Sequence, residues 1–212
     1  MQSPPIRFER NWLNQFQKCM ESDSGWATWD RFQLALEAVE TQLVPSFESL
    51  QSLSQVQGFD PLPHQVAVTQ RVINEMHGRA ILADEVGLGK TIEAGLILKE
   101  YMIRGLVKKV LILTPSSLVL QWTRELNQKF QIPAQAQKKD WMWDKFDVIV
   151  ASMDTAKRDP HRDTVLNIPY DLIIVDEAHK LKNQKTKNWQ FVNELHKKYC
   201  LLLTATPVQN EM

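Results

Sequence analysis

The sequence predicts an α/β fold built on a parallel sheet, with a small helical extension at its N-terminus. Two observations predict the sheet. From residue 61 onward, short apolar runs alternate with segments of helical character. Those runs are apolar without interruption, which marks strands covered on both faces rather than strands with one side in water. A third observation predicts the extension: before residue 61 the apolar residues follow a helical spacing only.

In the extension, Trp29, Phe32, Leu36, Val39 and Leu43 step by three and four, which gathers them on one helix face. Thr28 is placed to cap this helix, with Asp30 in its first turn. Pro45 stops it, and Phe47, Leu50 and Leu53 suggest a second, shorter helix. Two heptads are too few for a coiled coil, so a helical layer packed on the main domain is expected.

In the main domain, residues 64–76 read as a helix with Gly78 as its cap. Residues 79–84 follow as a strand whose buried part is Ala80-Ile81-Leu82-Ala83. A helix over 90–104 closes at Gly105, a strand spans 110–114, and a helix spans about 117–130. Strands at 148–151, 172–175 and 200–203, with a helix near 187–197, complete the pattern. Residues 138–146, with Trp141 and Trp143 two apart, fit no element.

Composition limits what this fold serves. With 212 residues, 43% of them hydrophobic, the chain can bury one good core. A 24% share of charged residues excludes a disordered or fibrous protein. The 25 basic side chains balance the 25 acidic ones, so any polyanion must be met by a local patch. Residues 1–60 hold four basic side chains against eight acidic ones. Cys19 and Cys200 form no metal-ligand or redox spacing, which suits a reducing compartment. The opening MQSPPIRFER carries charge where a signal peptide needs apolar residues, and no apolar run approaches membrane-spanning length. A soluble cytoplasmic protein with no membrane partner is expected.

Three motifs carry chemistry. Asp84-Glu85-Val86-Gly87-Leu88-Gly89-Lys90-Thr91 lies between a strand and a helix. Backbone N–H groups of such a turn and the helix N-terminus make a nest for phosphate oxygens. Gly89 admits close approach, Lys90 reaches the outer phosphates and Thr91 offers a magnesium ligand. Asp84 stands where the strict phosphate-loop pattern has glycine. The plainer reading is a glycine-rich turn that only caps a helix.

A second motif weighs against that reading. The apolar run 172–175 delivers Asp176-Glu177-Ala178-His179 at a strand end, 86 residues after Lys90. Ligands of open α/β sheets bind at that edge. Asp176 is placed to hold Mg2+ and Glu177 to activate a water. The third motif, Thr204-Ala205-Thr206-Pro207, follows the last strand, where its hydroxyls suit either turn chemistry or a coupling role.

In this order the three motifs resemble motifs I, II and III of superfamily-two helicase-related ATPases. DEVGLGKTIEAGLIL, TPSSLVLQW, DEAHKLKN and TATPVQN are similar to the SWI/SNF-type DNA translocases, in a bacterial branch that includes the RNA-polymerase-associated recycling ATPase. The likeness covers residues 59–210, and residues 1–57 show none. It implies a helical extension over 1–57 and, over 58–212, an N-terminal RecA-like lobe that binds ATP with Mg2+.

It further implies that Gln65, in Pro63-His64-Gln65, reads the adenine edge; by itself Gln65 is equally a polar helix-start residue. Thr114-Pro115-Ser116-Ser117 would grip DNA backbone phosphates, and Ser152 would add another such contact. Trp122, four residues after Leu118, reads as core rather than as a base-stacking platform. His179, Thr204, Thr206 and Gln209 would couple hydrolysis to lobe movement. The cluster Lys180, Lys182, Lys185 and Lys187 reads first as a solvated face and second as a DNA-backbone contact.

The resemblance places the working protein on duplex DNA in a bacterial cytoplasm or nucleoid, with RNA polymerase as a partner by analogy. Motifs of a second lobe, with arginines worth about 10³–10⁵ in turnover, are not found in this sequence. Weak nucleotide binding and little or no hydrolysis are therefore expected of this chain, and full activity of a longer parent. Two rivals remain open. One is an RNA or DNA helicase of the DEAH type; the other is a catalytically silent nucleotide-binding or protein-docking module.

Overall fold

The computed structural model describes residues 18, 28–31, 33–34, 49–83 and 89–205. Contacts divide the chain into two units, Met1–Pro45 and Ser46–Met212. In the first unit, 29–31 and 33–34 are helical, as the apolar spacing predicts. Phe32, Leu36, Val39 and Leu43, which would complete the stripe, lie outside the described residues. The second unit takes in residues 49–57, which the sequence had assigned to the extension. There a 3₁₀ turn, Gln51–Gln55, replaces the short helix expected around Leu50 and Leu53.

The second unit is a six-stranded sheet in which every described pairing is parallel. The strands are β1 (Arg79–Leu82), β2 (Val110–Thr114), β3 (Ala134–Ala136), β4 (Val148–Ser152), β5 (Tyr170–Val175) and β6 (Lys197–Leu203). Their spatial order is β1-β6-β5-β2-β4-β3. The helices are α1 (Pro63–Asn74), α2 (Lys90–Ile103), α3 (Val119–Lys129), α4 (Met142–Lys145), α5 (Met153–Ala156), α6 (His161–Asn167) and α7 (Lys187–Glu194).

Successive strand residues feed two cores, as the pleat requires. Ile112, Val150, Ile174 and Leu201 pack on one face with Leu96, Trp122 and Phe130. Leu111, Ile149, Ile173 and Val175 pack on the other with Trp143, Val165 and Phe191. Because both faces are covered, the strands read as unbroken apolar runs, and the predicted fold class holds.

The structure differs from the sequence reading in places. β3 and α6 were not anticipated, β5 begins at Tyr170, and β6 begins at Lys197 rather than Cys200. The early residues of β6 are polar because they lie at the sheet's rim, where Lys198 is exposed. The helix expected over 117–130 opens as a 3₁₀ turn, Ser116–Leu118, before α3 begins. The unassigned stretch 138–146 contains α4, whose Trp143 is fully buried while Trp141 is 53% exposed. The Lys109 ammonium ties this segment down, donating to the carbonyls of Trp143, Asp144 and Phe146.

Candidate nucleotide and metal edge

Parallel strands bring all their C-terminal ends to one rim, and the expected site residues follow those ends. α2 starts after β1, Asp176 follows β5, and Thr204 follows β6. β6 lies between β1 and β5. Two strand spacings separate the end of β1 from the end of β5 by about 10 Å along the rim.

Gly89 closes the glycine turn in the left-handed conformation, φ +88°, and caps α2. Its carbonyl accepts the N–H of Ile92 at 2.7 Å and of Glu93 at 3.1 Å. Lys90 and Thr91 are thus the first two residues of a 14-residue helix whose positive end faces the rim. Asp84, Glu85, Val86, Gly87 and Leu88 lie outside the described residues, as do Thr206 and Gln209.

Gln65 is only 5% exposed and touches this turn. Its Oε1 accepts the Leu62 N–H at 3.0 Å, the bond of a helix-start residue. A Cβ built on Gly89 would fall on its Nε2, and the positive φ of Gly89 independently disfavours any other residue there. Gln65 therefore starts a helix and also abuts Gly89.

Asp176 and Glu177 turn away from β5 together. The Asp176 N–H donates to Leu113 O at 2.8 Å, extending the pairing with β2. Asp176 Oδ1 accepts the Glu177 N–H at 2.8 Å. Its Oδ2 accepts the Trp122 indole N–H at 2.9 Å, with the Thr114 hydroxyl farther off at 3.4 Å. Glu177 has φ +56°, a left-handed backbone that costs a side-chain-bearing residue about 1–2 kcal/mol. This turn carries Glu177 Oε2 to within 3.0 Å of His179 Nδ1. Thr204 is 7% exposed and donates its N–H to Leu82 O at 3.0 Å, joining the third motif to β1.

Oxygen donors at this rim fit magnesium. Asp176 supplies a carboxylate and Thr91 a hydroxyl, both hard ligands of the kind that a well-hydrated Mg2+ shares with phosphates. Among the described residues no group of three or more His, Cys, Asp or Glu comes together as a closed metal cage.

A cleft of about 230 Å³ lies on the β2 side of the carboxylates, lined by Pro115, Ser116, Asp154, Asp176, Glu177 and Lys180. Ser116 and Ser117 are exposed beside it. Thr114 and Ser152 both turn their hydroxyls to partners within the protein. The Thr114 side chain is 1% exposed and faces Asp176. The Ser152 hydroxyl accepts the Thr155 N–H at 3.0 Å and caps α5. Lys180, Lys182, Lys185 and Lys187 are all exposed. A second hollow of about 310 Å³ near His179 is lined by Ile81, Leu181, Trp189, Val192 and Leu202. His179, Lys182, Lys197 and Thr204 border the same hollow.

Trp122 makes a contact that sequence reasoning missed. Helical spacing correctly placed its ring in the core, where it is 2% exposed, but gave no sign of the indole bond to Asp176.

The model of the SNF2-related domain matches residues 64–212. The chain belongs to the SNF2-related domain family. Its relatives include an uncharacterized ATP-dependent helicase, YqhH, of Bacillus subtilis, 58% identical over 205 residues. They also include the RNA polymerase-associated protein RapA of Actinobacillus pleuropneumoniae, 36% identical over 203 residues. The alignments cover 97% and 85% of this chain but 37% and 21% of those proteins.

Among solved structures, a Sulfolobus solfataricus SWI2/SNF2 ATPase core in complex with dsDNA superposes with a TM-score of 0.68 at 25% identity. It covers 77% of this chain and 35% of that one. The SNF2-related lobe described here is the N-terminal, RecA-like lobe of a superfamily-two ATPase, as the motifs implied. No described helix of the lobe is long and apolar enough to cross a membrane.

Proposed function

We propose that this lobe binds ATP with Mg2+ for a motor that moves along double-stranded DNA in the bacterial cytoplasm. The observation that carries the reading is the shared rim, where the start of α2 and the Asp176–Glu177 pair rise from strands separated only by β6. A triphosphate fits that arrangement: the helix end and Lys90 meet its outer oxygens, and Asp176 with Thr91 holds the metal. Bound there, Mg2+ would neutralise charge on the phosphates. Glu177, steadied by His179, orients and deprotonates the attacking water. Gln65, beside Gly89, reads the adenine edge.

DNA as the track is supported by the duplex bound to the Sulfolobus relative and by exposed Ser116, Ser117 and the basic run 180–187. Phosphate contacts made there weaken as salt rises. RNA polymerase as a partner rests on the name of the RapA relatives alone. Hydrolysis by the isolated lobe is expected to be slow, because the charge-stabilising arginines of such motors belong to a second lobe.

Calorimetric titration of ATP·Mg2+ into the chain, with and without duplex DNA, tests the reading. Binding should be measurable and should weaken in Lys90→Ala by about tenfold or more, as loss of a charge-assisted contact implies. In a complete relative, the residue equivalent to Glu177 changed to Gln should keep ATP binding and lose turnover by about 10²–10⁴-fold. Unchanged binding in Lys90→Ala would remove the phosphate assignment. A strand-displacement assay on that relative separates a translocase, which leaves strands paired, from a helicase.

A further inference from the structure

Asp176 is held by more than its own turn. The Glu177 N–H on Oδ1 is a local contact between neighbours in sequence. The donors on Oδ2 come from 54 and 62 residues away, Trp122 on α3 and Thr114 at the end of β2. At 3.4 Å the threonine bond is weak, whereas the indole bond at 2.9 Å has full length and strength.

The indole is well suited to fixing a carboxylate. Trp122 is 2% exposed, and its ring belongs to the core that includes Leu126, Phe130 and Ile112. Packing at crystal-like density leaves such a ring one orientation. Its single N–H, buried with the ring, needs an acceptor and finds Asp176 Oδ2. The core thereby sets the direction of the donor, and the donor sets the plane of the carboxylate. A serine or lysine in this place would have free torsions and impose no such constraint.

We propose that Trp122 is a positioning residue for the metal-binding carboxylate: its indole N–H locks Asp176 in the orientation that receives Mg2+. This inference rests on the metal reading given above. Groups that hydrogen-bond a ligating carboxylate hold metal affinity at about the ten- to hundredfold level. The effect belongs to the metal, so it appears in the Mg2+ dependence of nucleotide binding and not in binding without metal.

The test uses a fluorescent ADP analogue titrated into the chain over a series of Mg2+ concentrations and in EDTA. Trp122→Phe keeps an aromatic ring in the core and removes the N–H. It should raise the Mg2+ concentration needed for half of the metal-dependent gain in affinity by about tenfold, with affinity in EDTA unchanged. Benzothienylalanine at position 122, which has sulfur in place of N–H at nearly the same ring volume, should give the same shift even if the phenylalanine variant packs poorly. In 15N-labelled chain, the Trp122 indole resonance, identified by its loss in Trp122→Phe, should move in Asp176→Asn and on addition of Mg2+ with the nucleotide. Equal Mg2+ dependence in wild type and both Trp122 replacements, with a shift in Asp176→Asn, overturns the positioning role and leaves the metal reading standing. No shift in Asp176→Asn overturns the metal reading, and the positioning role falls with it.

Discussion

Glu100 on α2 and Arg104, the residue just past its end, form an ion pair at 2.7 Å with side chains 0% and 3% exposed. The Glu100 carboxylate also accepts the Ser52 N–H at 2.7 Å, and Arg104 Nη2 donates to Ser49 O at 3.0 Å. Burial alone would raise the Glu100 carboxyl. The Ser52 N–H and then the Arg104 guanidinium more than offset that and hold it below its ordinary value. A depressed folded value means that this contribution is complete above the ordinary glutamate value of 4.5 and is lost as pH falls through the folded value. Glu100→Ala, which removes the carboxylate from a buried guanidinium, should cost about 3–5 kcal/mol at pH 7, read from urea midpoints. Glu100→Gln should flatten the acid limb of the stability profile relative to wild type. Single residues were unevenly legible. Asp176 and Glu177 showed in the sequence because an apolar run ends on them. The indole bond of Trp122 did not show, since its partner is 54 positions away and the residue type announces only apolar bulk.

At the scale of elements, α2 is the helix most enclosed by the fold. Ala94, Leu96, Ile97 and Leu98 are each 0% exposed, so its apolar residues run around the cylinder rather than along a stripe. Gly95 lies where a Cβ would strike Cε2 and Cζ of the Phe130 ring. That ring is fully buried and packs edge-on against Phe59, with centroids 5.7 Å apart, which limits its retreat. Two effects compete in Gly95→Ala. Helix propensity favours alanine by about 1 kcal/mol, and overpacking of a tight core costs about 1–3 kcal/mol. The steric term should win, giving net destabilisation of about 1 kcal/mol in chemical denaturation, despite the better helix former. Legibility at this scale followed burial. β2, β4 and β5 were visible because both of their faces are covered. β3, the three residues Ala134–Ala136 at the sheet's edge, has neither length nor apolar content to stand out. α4 was hidden because Trp143 is buried and Trp141 exposed within four residues, too short a span for any period.

Across the molecule, the sheet joins the earliest strand to the latest. β1 pairs with β6 alone among the described strands, Arg79 opposite Cys200, whereas β2 meets β4 across a much shorter loop, Val110 opposite Val148. Loop closure makes the longer connection the slower one to establish. In pulsed hydrogen exchange during refolding, amides of β2 and β4 should gain protection before those of Arg79–Leu82, which should follow Cys200–Leu203. Simultaneous protection of all six strands would contradict this order. Neutral overall charge was informative at the same scale. It left a polyanion only local places to bind, and the lysines at 180, 182, 185 and 187 are exposed in one run.

That late pairing bears on synthesis. At about 5–20 residues per second, a ribosome that has just made Arg79–Leu82 needs on the order of ten seconds to deliver the neighbour on which that strand leans. Until then β1 is an unsupported ribbon, and the start of α2 that follows it is not yet fixed at the rim. A nucleotide bound at this rim, as proposed above, would therefore favour the finished fold over the partial ones.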